Sequence, residues 1–145
     1  MRNKLLLLVV LSLSMCTGSS AKDGIPHVVK RFNLYNQTGP IGPITLYTPK
    51  RSGMFRVNTF MITTVGNGNG GGAYCGYISF ADRFGRSDRV FSTPGPCLTT
   101  QSTEIAVAGT IPGPMKAGAS LTFTVDAEGS FQGANYNIYI VVEEL

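Results

Sequence analysis

Tryptophan is missing from this chain of 145 residues, histidine occurs once, and charged residues make up only 14%. With His27 as the one imidazole, a Ser/His/Asp arrangement would depend on a residue near the chain start, where order is commonly poor. Without Trp, an aromatic platform for sugars has to be built from tyrosine. Lys and Arg are scattered and adjacent only at Lys30-Arg31 and Lys50-Arg51. Nucleic-acid binders concentrate such residues on one face, so no nucleic-acid partner is expected. No CxxC spacing or His cluster suggests zinc, and no metal or cofactor is expected. Beyond residues 1–21 no apolar run approaches the roughly 20 residues of a membrane span. Helical periodicity and solenoid repeats are absent there too.

What is present begins with residues 1–21. Arg2 and Lys4 precede an apolar run, Leu5 to Leu13, and Ser19-Ser20-Ala21 offers a small-residue cleavage site. That order is the pattern of a secretory signal peptide, so secretion to the extracellular space is expected. Leu13-Ser14-Met15-Cys16 loosely resembles a bacterial lipoprotein box, which leaves lipid anchorage through Cys16 as the alternative. The formal charge is +4, and cleavage after Ala21 removes Arg2 and Lys4 but no acid, leaving +2. Residues 22–27 read as a flexible leader and 28–145 as one domain, large enough to bury a core without metal. Loss of Cys16 turns three cysteines into a pair, Cys75 and Cys97. In an exported chain that pair reads as a disulfide, with two buried free thiols as the alternative.

Eighteen Gly and eight Pro punctuate short β-rich runs. Strands are expected at Val28–Tyr35, Ile44–Tyr47, Met54–Val65, Ala73–Ala81, Arg89–Ser92, Thr103–Thr110, Leu121–Asp126 and Tyr136–Val142. Gly39-Pro40-Ile41, Gly42-Pro43-Ile44 and Pro112-Gly113-Pro114 read as turns. Eight or nine such strands indicate an all-β fold, an antiparallel β-sandwich that is jelly-roll-like.

Two strands are apolar on both faces. In the long one Phe55, Val57, Thr59 and Met61 share a face, while Phe60 and Ile62 break the alternation. Either a bulge shifts the phase there or both faces are buried. In the last strand Tyr136, Ile138, Ile140 and Val142 point inward, leaving Tyr139 and Val141 off that phase. The outer face of a sandwich normally meets water, so apolar residues there need a cover. Phe60, Ile62, Tyr139 and Val141 are therefore the candidate oligomer interface. A covering loop such as Gly66–Gly72, or the N-terminal segment, is the alternative.

Candidate chemistry is sparse. Gly66–Gly72 lacks the Lys-Ser/Thr ending of a phosphate loop and leads into a strand, which points to a flexible hairpin loop. Asp82 and Asp88 could contribute to a calcium site, but Arg83, Arg86 and Arg89 interleave with them and repel a cation. Local ion pairs on a solvated turn fit better. Asp126, Glu128, Glu104, Asp82 and Asp88 are the carboxylates available to a two-carboxylate hydrolase, and none sits in a recognisable motif. Tyr47, Tyr74 and Tyr77 are the possible ligand contacts of a carbohydrate-binding module.

Ser52-Gly53-Met54-Phe55-Arg56-Val57 opens the long strand, and Lys116-Ala117-Gly118-Ala119-Ser120-Leu121 precedes a late one. Together with the closing aromatic-aliphatic strand Tyr136–Val142, this layout resembles the C1q/TNF-like jelly-roll domains from about Phe32 to Leu145. The resemblance implies a compact β-sandwich that assembles, usually as a trimer, and carries no catalytic residues. The expectation is a secreted, non-enzymatic structural or adhesive module that self-associates as a homo-oligomer, with a glycan or surface as further partner. A carbohydrate-binding module or a small secreted hydrolase is the alternative.

Overall fold

The structure, a computed structural model, describes residues 25–68, 71–92, 97–104 and 106–145. The expected signal peptide, its cleavage site at Ala21 and Cys16 lie outside the described residues. No helix occurs among the described residues, and so none long and apolar enough to cross a membrane.

The strands are β1 (His27–Gln37), β2 (Ile41–Tyr47), β3 (Gly53–Val65), β4 (Ala73–Ala81), β5 (Ser87–Phe91), β6 (Leu98–Thr99), β7 (Ala106–Met115), β8 (Leu121–Glu128) and β9 (Asn135–Glu144). One sheet has the order β1-β9-β3-β7 and the other β2-β8-β4-β5, with β6 also on β4. Every pairing is antiparallel. The chain is thus a long hairpin folded double: β1 lies on β9, β2 on β8, β3 on β7 and β4 on β5. That connectivity is the jelly roll, two Greek keys closed into a sandwich.

The core follows from period-two alternation. Phe55, Val57 and Met61 of β3 and Tyr136, Ile138, Ile140 and Val142 of β9 are buried against Ile78, Phe123 and Val125 of the other sheet. β3 carries two inward threonines, and each hydroxyl finds a partner across the sandwich. Thr63 Oγ1 donates to the Thr99 carbonyl at 2.9 Å, and Thr59 Oγ1 donates to the Ser92 carbonyl. A buried hydroxyl without such a partner would cost stability.

Between those two tethers lies the disulfide Cys75–Cys97, with Cα atoms 4.5 Å apart. It fastens the start of β6 to β4, since Tyr74 pairs with Leu98. Cross-linking residues 22 apart should stabilise the fold by about 3 kcal/mol in the chain-entropy model. The double variant Cys75→Ser/Cys97→Ser is expected to lose about that much in urea denaturation. An unchanged midpoint would mean that the cross-link constrains nothing.

Two local expectations are corrected, and one open alternative is decided. Pro112-Gly113-Pro114 is not a turn but part of β7, paired with Met54 to Arg56. Ile41-Gly42-Pro43 similarly belongs to β2. Both are edge strands, where alternate N–H groups have no ladder partner and proline costs no bond. β3 also keeps its phase through Phe60 and Ile62, with its one irregularity after Thr63. Both faces of β3 are apolar, with no bulge at Phe60 to account for it.

Candidate functional site

Unbroken register over Lys30–Leu34 of β1 and Phe55–Thr63 of β3 orders the middle of the outer face of the β1-β9-β3-β7 sheet. Tyr139 of β9 pairs with Asn33 of β1 and with Phe60 of β3, and Phe60 pairs with Ala108 of β7. This row crosses all four strands. The adjoining row is Arg31, Val141, Asn58 and Thr110. On the other side Ile62 lies between Asn137 and Ala106. Phe60, Ile62, Tyr139 and Val141 are therefore neighbours on one outward surface.

Two aromatic contacts define its centre. Tyr139 meets Phe60 at 5.9 Å between ring centroids and meets Tyr35 edge-on at 5.7 Å. Tyr35 is 54% exposed and Phe60 38%, whereas Ile62, Tyr139 and Val141 are half-buried. Amide side chains frame the rings: Asn33 and Asn137 donate to the Tyr35 and Tyr139 hydroxyl oxygens, each at 3.4 Å. The Thr110 hydroxyl donates to Asn58 Oδ1 at 2.8 Å.

A charged clasp closes the face toward the chain's C-terminal end. Arg56 Nε and Asn58 Nδ2 both donate to Glu143 Oε2 at 2.7 Å. The hydrogen bond from Arg56 is the main reason the Glu143 carboxyl sits below its ordinary range. Burial opposes it, while Asn58 and the charges of Arg56 and Arg31 reinforce it. Arg56 is raised in turn, chiefly by the bond to Glu143. A depressed acid stabilises the folded state above its unfolded pKa, about 4.3 for Glu, and that contribution disappears as pH falls through the lower folded value. Wild-type protein should therefore lose more stability on acidification below about pH 4 than Glu143→Gln does. Parallel pH–stability curves for the two would contradict this.

The described start of the Gly66–Gly72 loop is bound elsewhere than on this face. Asn67 N donates to the Thr100 carbonyl at 2.9 Å, Asn67 Nδ2 to the Ser130 carbonyl at 2.9 Å, and Gly68 N to the Gln101 carbonyl at 3.2 Å. Those bonds hold Asn67 and Gly68 against residues 100–101 and 130, at the end of the sandwich.

The three tyrosines expected as a ligand platform are not brought together, which corrects that expectation. Tyr74 is 0% exposed and stacks on Tyr136 with centroids 4.2 Å apart. Gly39 N donates to the Tyr74 hydroxyl oxygen at 3.1 Å, and the Tyr136 hydroxyl donates to the Gly39 carbonyl at 2.7 Å. Burial, with Tyr74 alongside, pushes the Tyr136 hydroxyl pKa up, so that phenol stays neutral. The two hydroxyls fasten the β1–β2 connection at Gly39, and the Tyr74 hydroxyl also reaches the Phe131 and Ala134 carbonyls between β8 and β9. Tyr47 packs on Phe55 beside a small cleft of about 120 Å³ lined by Lys50, Arg51 and Glu144. Tyr77 lies on the opposite sheet beneath Arg89, whose guanidinium carbon is 3.9 Å from the ring centre.

Two of the candidate acids are already committed. Arg89 Nη2 lies 2.6 Å from Asp126 Oδ2. Asp82 Oδ1 accepts from the Phe84 and Arg86 amides at 2.9 Å, and Oδ2 from Arg86 Nε at 2.8 Å. Burial pushes the Asp82 carboxyl up, but these bonds outweigh it and hold it below the ordinary value. Among the described residues no three His, Cys, Asp or Glu side chains gather to hold a metal. His27 forms the first rung of β1 against β9, its Nε2 3.8 Å from a Glu144 oxygen.

Tyr35 and the amides Asn33 and Asn137 escaped the sequence reading. Their signal was available: Phe32 and Leu34 pack on the core, so Asn33 and Tyr35 between and after them must point outward.

No protein-family model and no curated protein matches the chain. Among solved structures it is similar to one of infectious bursal disease virus, Gx strain, at 13% identity and TM-score 0.48, covering 96% of this chain and 38% of that one. It is similar also to the VP2 subviral particle of infectious bursal disease virus, at 14% identity and TM-score 0.47, covering 96% and 37%. The chain thus spans less than two fifths of the chains it matches. The jelly-roll assignment stands on the strand order described above.

Proposed function

We propose that this chain is an exported, non-enzymatic structural module that self-associates through the outer face of the β1-β9-β3-β7 sheet. The observation that carries the proposal is the contiguous Tyr35–Tyr139–Phe60 cluster with Ile62 and Val141 at its flanks. Aromatic residues at the centre of a face, ringed by polar groups, have the composition of an interface core and its rim.

A second copy suits this surface better than a strand added at an edge. The β7 edge carries Pro112 and Pro114, and β2 carries Pro43 with two register shifts. β1 has two register shifts and presents Lys30 and Arg31. Prolines, bulges and charges of this kind are the devices that block edge-to-edge pairing. The flat face is left as the route to association, and a two-fold arrangement would set Phe60 and Tyr139 against their counterparts. Three subunits is the number that the C1q/TNF-like resemblance implies.

Export belongs to the same proposal: the residue 1–21 pattern supports it, and a disulfide persists in oxidising compartments. Size-exclusion chromatography with light scattering on the exported protein tests the assembly. A mass of two or more subunits is expected, and a monomer at every concentration would refute self-association.

A further inference from the structure

The charges of this protein are divided along the strand axis. The connections β2–β3, β4–β5 and β7–β8 meet at one end of the sandwich and carry Lys50, Arg51, Arg83, Arg86 and Lys116. The described residues that join strands at the other end, 38–40, 66–68, 71–72, 92, 97, 100–104 and 129–134, contain Glu104 and no Lys or Arg.

The basic end is held as a unit. Lys116 N donates to the Ala81 carbonyl at 3.0 Å and Gly118 N to the Pro49 carbonyl at 2.8 Å, and Ala117 N donates to Ser52 Oγ at 2.9 Å. The carboxylate of Asp82 fixes the 82–86 turn from inside, as described above, and a methyl added at Gly85 would lie 3.2 Å from the Lys116 ammonium. The five cations are exposed on this frame. Acids at this end offset them in part: Asp82 is taken by Arg86, Glu144 lies 3.8 Å from Arg51, and Asp88 is exposed.

At the tip stands Phe84, 69% exposed, with the guanidinium carbons of Arg83 and Arg86 at 4.8 Å and 5.6 Å from its ring centre. No core contact holds this ring out in water. A soluble polyanion would use the cations and leave the phenyl ring idle. A bilayer offers phosphates to the cations and, just below them, an apolar layer for the ring.

We propose that this end docks on an anionic lipid surface, with Lys50, Arg51, Arg83 and Lys116 over the headgroups and Phe84 entering the interface. The partner is distinct from the self-association face, which lies along the flank of the sheet.

Co-sedimentation with vesicles tests it, using phosphatidylglycerol mixed with phosphatidylcholine against phosphatidylcholine alone at low salt. Binding to the mixed vesicles, absent from the neutral ones and lost with added salt, is expected. The triple variant Lys50→Ser/Arg83→Ser/Lys116→Ser leaves the Asp82–Arg86 frame intact. It should bind about a hundredfold more weakly, from about fivefold per cation. Phe84→Ser should weaken binding several-fold. Failure of the wild type to bind the mixed vesicles would overturn the proposal. So would equal binding by Phe84→Ser, or retention on heparin without vesicle binding, since either would make the end a reader of charge alone. An unchanged unfolding midpoint in both variants excludes misfolding as the cause of lost binding.

Discussion

Phe60→Glu is expected to weaken self-association by at least about thirtyfold, the effect of losing an interface hot spot, while the domain stays folded. Phe60 points outward at the middle of β3, 38% exposed and in contact with Tyr139, so the carboxylate can be solvated in the free subunit. Between two copies the same charge would be trapped against Tyr139 and Val141 with no cation opposite it in the row Asn33, Tyr139, Phe60, Ala108. Burying an unpaired charge is the most effective way to disrupt such a contact. Sedimentation velocity across a dilution series reads the change. Phe60→Ser provides the milder version should the acid perturb β3. If both variants associate as the wild type does, the face is not the contact.

The second large effect lies in the core. Phe123 is 0% exposed at the centre of β8, and its ring would stand 3.2 Å from a methyl added at Gly76 of β4. Phe123→Ala should cost about 3–5 kcal/mol, the range for deleting a buried aromatic ring. Thr122→Ala and Thr124→Ala, one position away on either side and facing outward, should each stay within about 0.5 kcal/mol. Urea denaturation distinguishes the three. Equal losses would mean that β8 does not have one inward face.

Much of this fold was legible in the sequence because alternation is a local signal. Leu121, Phe123 and Val125 read inward from their own neighbours, and they are inward. Ala73–Ala81 is the strand the sequence outlines, end to end. Pairing is not local, and there the reading stopped. Whether Phe60 and Ile62 mark a bulge or an apolar outer face depends on the register of β3 against β7 and β9, which no window of β3 contains. Proline misled for the same reason, since Pro112 and Pro114 break a central strand but are tolerated on an edge. β6, with two residues, is too short to have a period.

The candidate site was legible to a similar degree. Phe60, Ile62, Tyr139 and Val141 could be found because each lies out of phase with a buried row. Tyr35 was missed because its strand, Val28–Tyr35, was bounded without its faces being assigned, and in it Tyr35 is in phase with the polar Asn33. The tyrosine platform failed on topology: Tyr74 and Tyr77 are three apart on β4 and face opposite sides of the sheet, one buried and one outward.

The most direct measurement is hydroxyl-radical footprinting of the same protein at high and low concentration. Tyr35, Phe60 and Tyr139 should be protected at high concentration and oxidised on dilution, while exposed Phe84 at the basic end stays equally reactive in both. Oxidation of Phe60 and Tyr139 at the same rate throughout, or protection of Phe84 in their place, would contradict self-association through this sheet face.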